Sequence, residues 1–221
     1  MRTLSFFLFI LIASCSTLES QPDERLMEAI RLYTGEAGAV NDQRARELLL
    51  QSVNTGHPIS MMWLARVYST GRMTFEEDKA KAIAIASSVI SDIEQLAKAG
   101  VAEANFLMGT AYAEGLGKPV DPQLAVHWYR RAAEQGNTLA RHNMGNVYAA
   151  GNGVQQSDEL AVYWWRLAAE KGDAIPQYRL AEMYEKGLGV KQDLEVARFW
   201  YAESAGRGYE NAARALSRLD S

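Results

Sequence analysis

Cysteine is almost absent from this chain of 221 residues: one occurs, Cys15, and none follows it. Histidine is scarce as well. His57, His127 and His142 are the three, and none belongs to an H-E-x-x-H run or stands near a cysteine. A zinc site built from such ligands is therefore not expected, and neither is any other bound metal. No G-x-S-x-G turn presents a nucleophilic serine. Positive charge is never concentrated: the net charge is −4, and no stripe of lysine and arginine offers a nucleic acid its phosphate contacts. Aspartate and glutamate are plentiful but scattered over expected helix surfaces, where solvation explains them better than an acid/base pair. No cofactor is implied, and the chain is expected not to be an enzyme. What is present in quantity is apolar surface, with 48% hydrophobic and 10% aromatic residues. That is the composition of a packed chain rather than a disordered one.

The first residues stand apart. Arg2 precedes an apolar run from Leu4 to Ala13, about ten residues and too short to cross a bilayer, but the length of a signal-peptide core. Small residues follow, then Cys15. "Ile12-Ala13-Ser14-Cys15" resembles a bacterial lipobox, which implies cleavage after residue 14 and acylation of Cys15. Several acyl chains anchor firmly where one binds marginally. Residues 1–14 are thus expected to be a lipoprotein signal peptide, 15–22 a lipidated tether, and 23–221 the folded body. Ser16 follows the cysteine where an aspartate does not. By analogy with Gram-negative lipoproteins, that implies a periplasmic protein held at the outer membrane.

The body repeats itself. "WYRRAAEQG", "WWRLAAEKG" and "WYAESAGRG" end at Gly136, Gly172 and Gly208, thirty-six residues apart, and Gly100 and Gly56 are earlier equivalents. From these origins a small residue recurs nine on (Ala65, Gly109, Gly145, Ala181) and a tyrosine twelve on (Tyr68, Tyr112, Tyr148, Tyr184). Glycines recur fifteen on (Gly115, Gly151, Gly187) and seventeen on (Gly117, Gly153, Gly189). The first of these glycines suits the left-handed residue that ends a helix. Asp121, Ser157 and Asp193 then suit the N-cap of a second helix, and Pro122 its first position. Alanine and tryptophan at i, i+3, i+4 and i+7, as in Ala125, Trp128, Ala132 and Ala133, give that helix an apolar stripe. The same register places Trp164 and Trp200 between neighbouring units. "GLGKP", "GNGV" and "GLGV" follow helices at the repeat period, so they are turns, not phosphate-binding loops. "EEDKAKAIAIASSVISDIEQLAKAG" reads as a longer second helix.

The pattern A-x4-G-x2-Y-x2-G-x-G…D-x3-A-x2-W-x3-AA-x2-G closely resembles the Sel-one-like repeat family. The match is strong from Gly100 to Gly208 and weaker before, where Gly71 lacks its second glycine and Leu48 replaces the tryptophan. The resemblance implies an all-α, right-handed α-solenoid of about five helix-turn-helix repeats plus a C-terminal capping helix. It also implies an interaction scaffold. Some family lipoproteins act as immunity proteins against phospholipase effectors delivered by type VI secretion. Others, with a cysteine pair in every repeat, bind β-lactams, and these repeats have no cysteine.

The positions that the repeat leaves free lie opposite the core-facing ones and are expected to line the concave surface. They offer Met62, Trp63, Arg66, Phe106, His142, Asn146, Tyr178, Arg179 and Glu182 as candidate partner-binding residues. Trp, Tyr and Arg are the types enriched at binding hot spots. Phe106 and Tyr178 are equally compatible with packing against the adjacent helix, while Trp63 with Arg66 favours a partner protein. The expected role is a membrane-anchored scaffold that binds a protein in its groove. A cell-envelope regulator or assembly factor is the alternative of the same class. A hydrolase acting on cell-wall material is the alternative of another class, and it requires a convergent polar constellation that the sequence does not display.

Overall fold

A computed structural model describes residues 21–219, which form eleven α-helices and no strand. The expected signal peptide, Cys15 and all but the last two residues of the expected tether lie outside the described residues. The helices are α1 Glu24–Thr34, α2 Asp42–Val53, α3 Pro58–Thr70, α4 Lys79–Lys98, α5 Ala102–Glu114 and α6 Pro122–Glu134. They continue with α7 Thr138–Ala150, α8 Asp158–Ala169, α9 Ala174–Lys186, α10 Leu194–Gly206 and α11 Glu210–Leu219. Each odd-numbered helix pairs with the next and each pair stacks on its neighbour, giving five hairpins and a closing helix. This is the all-α repeat solenoid that the thirty-six-residue period predicts.

The ends of the helices are set by the residues the repeat fixes. Asp121 accepts hydrogen bonds from the Gln123 and Leu124 amides, and Ser157 and Asp193 cap α8 and α10 in the same way. These bonds satisfy amide groups that a helix start otherwise leaves open. The second glycine of each turn has a different cause. Gly153 has φ of +75°, and a Cβ there would stand 2.5 Å from the carbonyl oxygen of Pro122. The turn of one unit therefore lies directly on the start of the preceding unit's second helix, leaving room for no side chain.

The tryptophan stripe is displaced from its expected place. Trp128 is buried, but Trp164 and Trp200 are only half-buried. The residue after each is the deeper one: Tyr129, Trp165 and Tyr201 are all buried. Those rings enter the space left by the small residue on the paired first helix. A Cβ on Gly109 would overlap the Tyr129 ring, and one on Gly145 would overlap the Trp165 ring. The glycine thus makes the socket for the aromatic side chain one step further along the helix.

The chain also closes on itself. The connection between α1 and α2 reaches the end of α10, where the Val40 amide donates to the Arg207 carbonyl at 2.9 Å. Arg207 Nη1 donates in turn to the Gly35 carbonyl at 2.7 Å. The first unit is thereby tied to the last.

Candidate partner-binding face

The structure divides the nine candidate residues into two groups. Met62, Trp63 and Phe106 have no accessible surface, and Arg66 is 3% exposed. They were expected on an open concave face, and the structure places them in the core instead. The first helices of neighbouring units approach closely, so that α3 packs on α5, and residues opposite the main stripe meet one another rather than solvent. Trp63 Nε1 donates to Glu103 Oε1 at 2.6 Å, and the Trp63 and Phe106 rings lie 5.8 Å apart. Glu103 accepts a second bond from Asn137 Nδ2 at 2.7 Å. Burial pushes the Glu103 carboxyl above the usual carboxylate range, against the opposing effect of these two donors. Truncating Trp63 would open a void in the core, so it is a packing residue.

Arg66 is the unusual member of this group. Its guanidinium carbon sits 4.7 Å from the centre of the Trp63 ring and 5.2 Å from that of Phe106, with Tyr33 of α1 at 5.9 Å. These are cation–π distances. Its Nε and Nη1 are buried without a hydrogen-bond partner. Burial, reinforced by the charge of nearby Arg72, holds its pKa below the ordinary arginine value.

The second group remains accessible. Asn146 and Arg179 are exposed, and His142, Tyr178 and Glu182 are half-buried. Tyr178 packs against the rings of Tyr201 and Tyr209 and donates its hydroxyl to Glu182 Oε1 at 3.1 Å. Arg179 Nη1 donates to Glu182 Oε2 at 2.9 Å, and Lys186 Nζ lies 3.6 Å from the same carboxylate. Asn146 Oδ1 accepts from Trp165 Nε1 at 3.2 Å. Asn146, Arg179 and Glu182 border a groove of about 450 Å³ floored by Trp165 and Met183. It is an aromatic and aliphatic floor with a charged rim, the anatomy of a protein-docking surface.

Between the two groups is a smaller polar cavity of about 160 Å³. Tyr33, Arg66, Arg72, His142, Asn146 and Asp173 contribute to its wall. His142 Nδ1 lies 3.0 Å from Asp173 Oδ2, and Asp173 Oδ1 accepts the Ile175 amide as the N-cap of α9. Arg72 was not singled out in the sequence. It follows the helix-ending Gly71, at the one turn that lacks the second glycine. That departure was visible, but not its consequence: Met73 and Thr74 carry φ of +51° and +59° in place of a glycine. Among the described residues no group of three or more metal-ligating side chains is gathered, and no helix is long and apolar enough to cross a membrane.

Comparison with known proteins identifies four of the five helix pairs as repeats of one family and leaves the α1–α2 pair unmatched. The sequence model of the Sel1 repeat matches residues 58–86, 102–137, 138–173 and 177–209, more than half of the chain. Among curated proteins, none matches. Among solved structures, a protective antigen of uropathogenic Escherichia coli with an SLR fold is 25% identical with a TM-score of 0.59. The match covers 90% of this chain and 49% of that one, so the chain spans about half the length of that relative. A Sel1 repeat protein of Oxalobacter formigenes is 29% identical with a TM-score of 0.56, covering 90% of this chain and 76% of that one. An immunity protein of Pseudomonas aeruginosa is 25% identical with a TM-score of 0.49, over 89% of this chain and 70% of that one.

Proposed function

Since the chain belongs to the Sel1 repeat family, a family of interaction scaffolds, we propose that it binds a partner protein through the groove bordered by Asn146, Arg179 and Glu182. It does so without catalytic chemistry of its own. The observation that carries this reading is the groove itself: an apolar floor with a rim of both charge signs, left open while Met62, Trp63, Arg66 and Phe106 are buried. The scaffold is held in the periplasm by lipid at Cys15, at the outer membrane. Within that reading the partner is a toxic effector, and the protein acts as its immunity factor.

The groove is tested by reversing the charge at its exposed rim. Arg179→Glu removes an exposed side chain whose ion pair with Glu182 contributes little to stability. The variant should melt with the wild type and lose a partner captured by a photo-crosslinker placed at Asn146. Capture undiminished by the reversal would exclude Arg179 from the interface. A co-expressed periplasmic effector should be neutralised by the wild type and not by the variant. For the anchor, Cys15→Ser should abolish incorporation of labelled fatty acid; a wild type that takes up no label would refute lipidation.

A further inference from the structure

The cavity between the buried and open parts of the concave face has more cationic donors than acceptors to receive them. Among the described residues, no carboxylate lies within ion-pair distance of Arg66 or Arg72, although both arginines border the cavity. The nearby carboxylates are engaged elsewhere. Glu103 receives Trp63 and Asn137, Glu114 receives Ser69, and Asp173 receives His142 and the Ile175 amide. Three aromatic rings surround the Arg66 guanidinium but offer no lone pair in its plane. The Asn143 amide, also in the wall, has no hydrogen-bond partner among the described residues. Buried polar groups are ordinarily satisfied, and an arginine fork left unpaired calls for an acceptor from outside.

We propose that this cavity is a carboxylate-binding site, in which a single monoanionic carboxylate is held by Arg66 and Arg72 with Asn143 as a further donor. Three observations set the chemistry. A guanidinium donates charge-assisted hydrogen bonds to a carboxylate oxygen, and with Arg66 Nε and Nη1 sealed in the core its Nη2 is the nitrogen left for the cavity. The cavity, at about 160 Å³, admits a group of that size rather than a large ligand. Asp173 in the same wall repels a dianion more than a monoanion, which disfavours phosphate. The exposed side chain of Asn146 marks the entrance and is shared with the Arg179 groove. A glutamate or aspartate of a docked protein could therefore enter from the groove, and a free small carboxylate could enter from solvent. The chemistry at the arginines is the same in both cases. Only the source of the carboxylate rests on the partner-binding reading, since Arg179→Glu leaves every wall residue of the cavity in place.

The probe is sodium acetate, titrated into the full chain and followed by the side-chain Nε–H resonances of Arg66 and Arg72. Sodium chloride and inorganic phosphate at matched ionic strength are the controls. Acetate should shift both resonances saturably. Arg72→Gln, which alters a half-buried side chain at the wall, should weaken acetate by about tenfold, the loss expected for one charge-assisted hydrogen bond. Asp173→Asn, which keeps a capping side chain, should tighten it. An amide-capped glutamate that competes with acetate supports entry of a protein side chain. Acetate binding without that competition supports a free carboxylate as ligand. Shifts reproduced by chloride, or phosphate binding more tightly than acetate, would overturn the proposal.

Discussion

Glu103 carries the sharpest consequence at the level of single residues. Two donors hold its oxygens, yet it lies 5% exposed at the contact of α3, α5 and α7. Its folded pKa is raised chiefly by burial above the ordinary glutamate value of 4.5. The native state therefore retains this proton at pH values where the unfolded chain has lost it. Stability falls as pH rises from 4.5 toward the folded value. Glu103→Gln cannot titrate. It can still accept from Trp63 but sets an amide against Asn137, a loss that does not vary with pH. Urea midpoints measured between pH 4.5 and 7 should thus decline less steeply in Glu103→Gln than in the wild type. A constant difference between the two proteins at every pH would show that Glu103 ionises normally. The residue was legible only as one of the acidic residues scattered over expected helix surfaces. Its role was not, because a carboxylate at a variable helix position is usually solvated, and only the approach of two neighbouring helices buries this one.

Among the helices, the pairing of α7 with α8 shows what a periodic pattern conveys and where it stops. The caps, the glycine stops and the alanine stripe were legible because each is a local requirement of helix ends or helix contact, repeated five times. The aromatic register was not. Trp164 and Trp165 are adjacent, both indoles, and about 100° apart around the helix, so residue type cannot decide which one enters the core. Gly145 on the facing helix decides it, since Trp165 fills the space where a Cβ would otherwise be. Trp165→Ala should cost about 3–5 kcal/mol, as truncation of a buried aromatic does, and Trp164→Ala distinctly less. Thermal melts of the two variants give the order directly, and equal losses would argue that the stripe runs through both positions. Gly145→Ala should also destabilise, by about 1–3 kcal/mol, because the added methyl overlaps the indole.

For the molecule as a whole, closure of the array decides how it unfolds. A solenoid is ordinarily held by nearest-neighbour contacts alone, and its terminal units fray first. Here Arg207 joins the end of α10 to the α1–α2 connection, 172 residues away in sequence. The Val40 amide completes the bridge. No local pattern reveals such a contact, because it depends on the summed rotation of every unit, and this is why an open groove along the full array was expected. Tyr33 of α1 lies over Arg66 of the next unit, and the docking groove lies along α7, α8 and α9. Arg207 is half-buried, and its one ion pair among the described residues, with Glu203, is at 4.0 Å. Arg207→Ala therefore removes the side-chain arm of the bridge and the packing of its guanidinium against Gly172, while the Val40 amide keeps its bond to the main-chain carbonyl of residue 207. Its effect should be regional: amide exchange should accelerate through α1 and the α1–α2 connection, up to and including Val40, while the middle units keep their protection. Exchange measured by mass spectrometry on peptides covering 24–40 and 102–150 separates the two regions. Unchanged protection at 24–40 would mean that the first unit is held by α2 and α3 alone. Equal loss in both regions would mean that the ring unfolds as one cooperative body, with Arg207 part of a core common to all units.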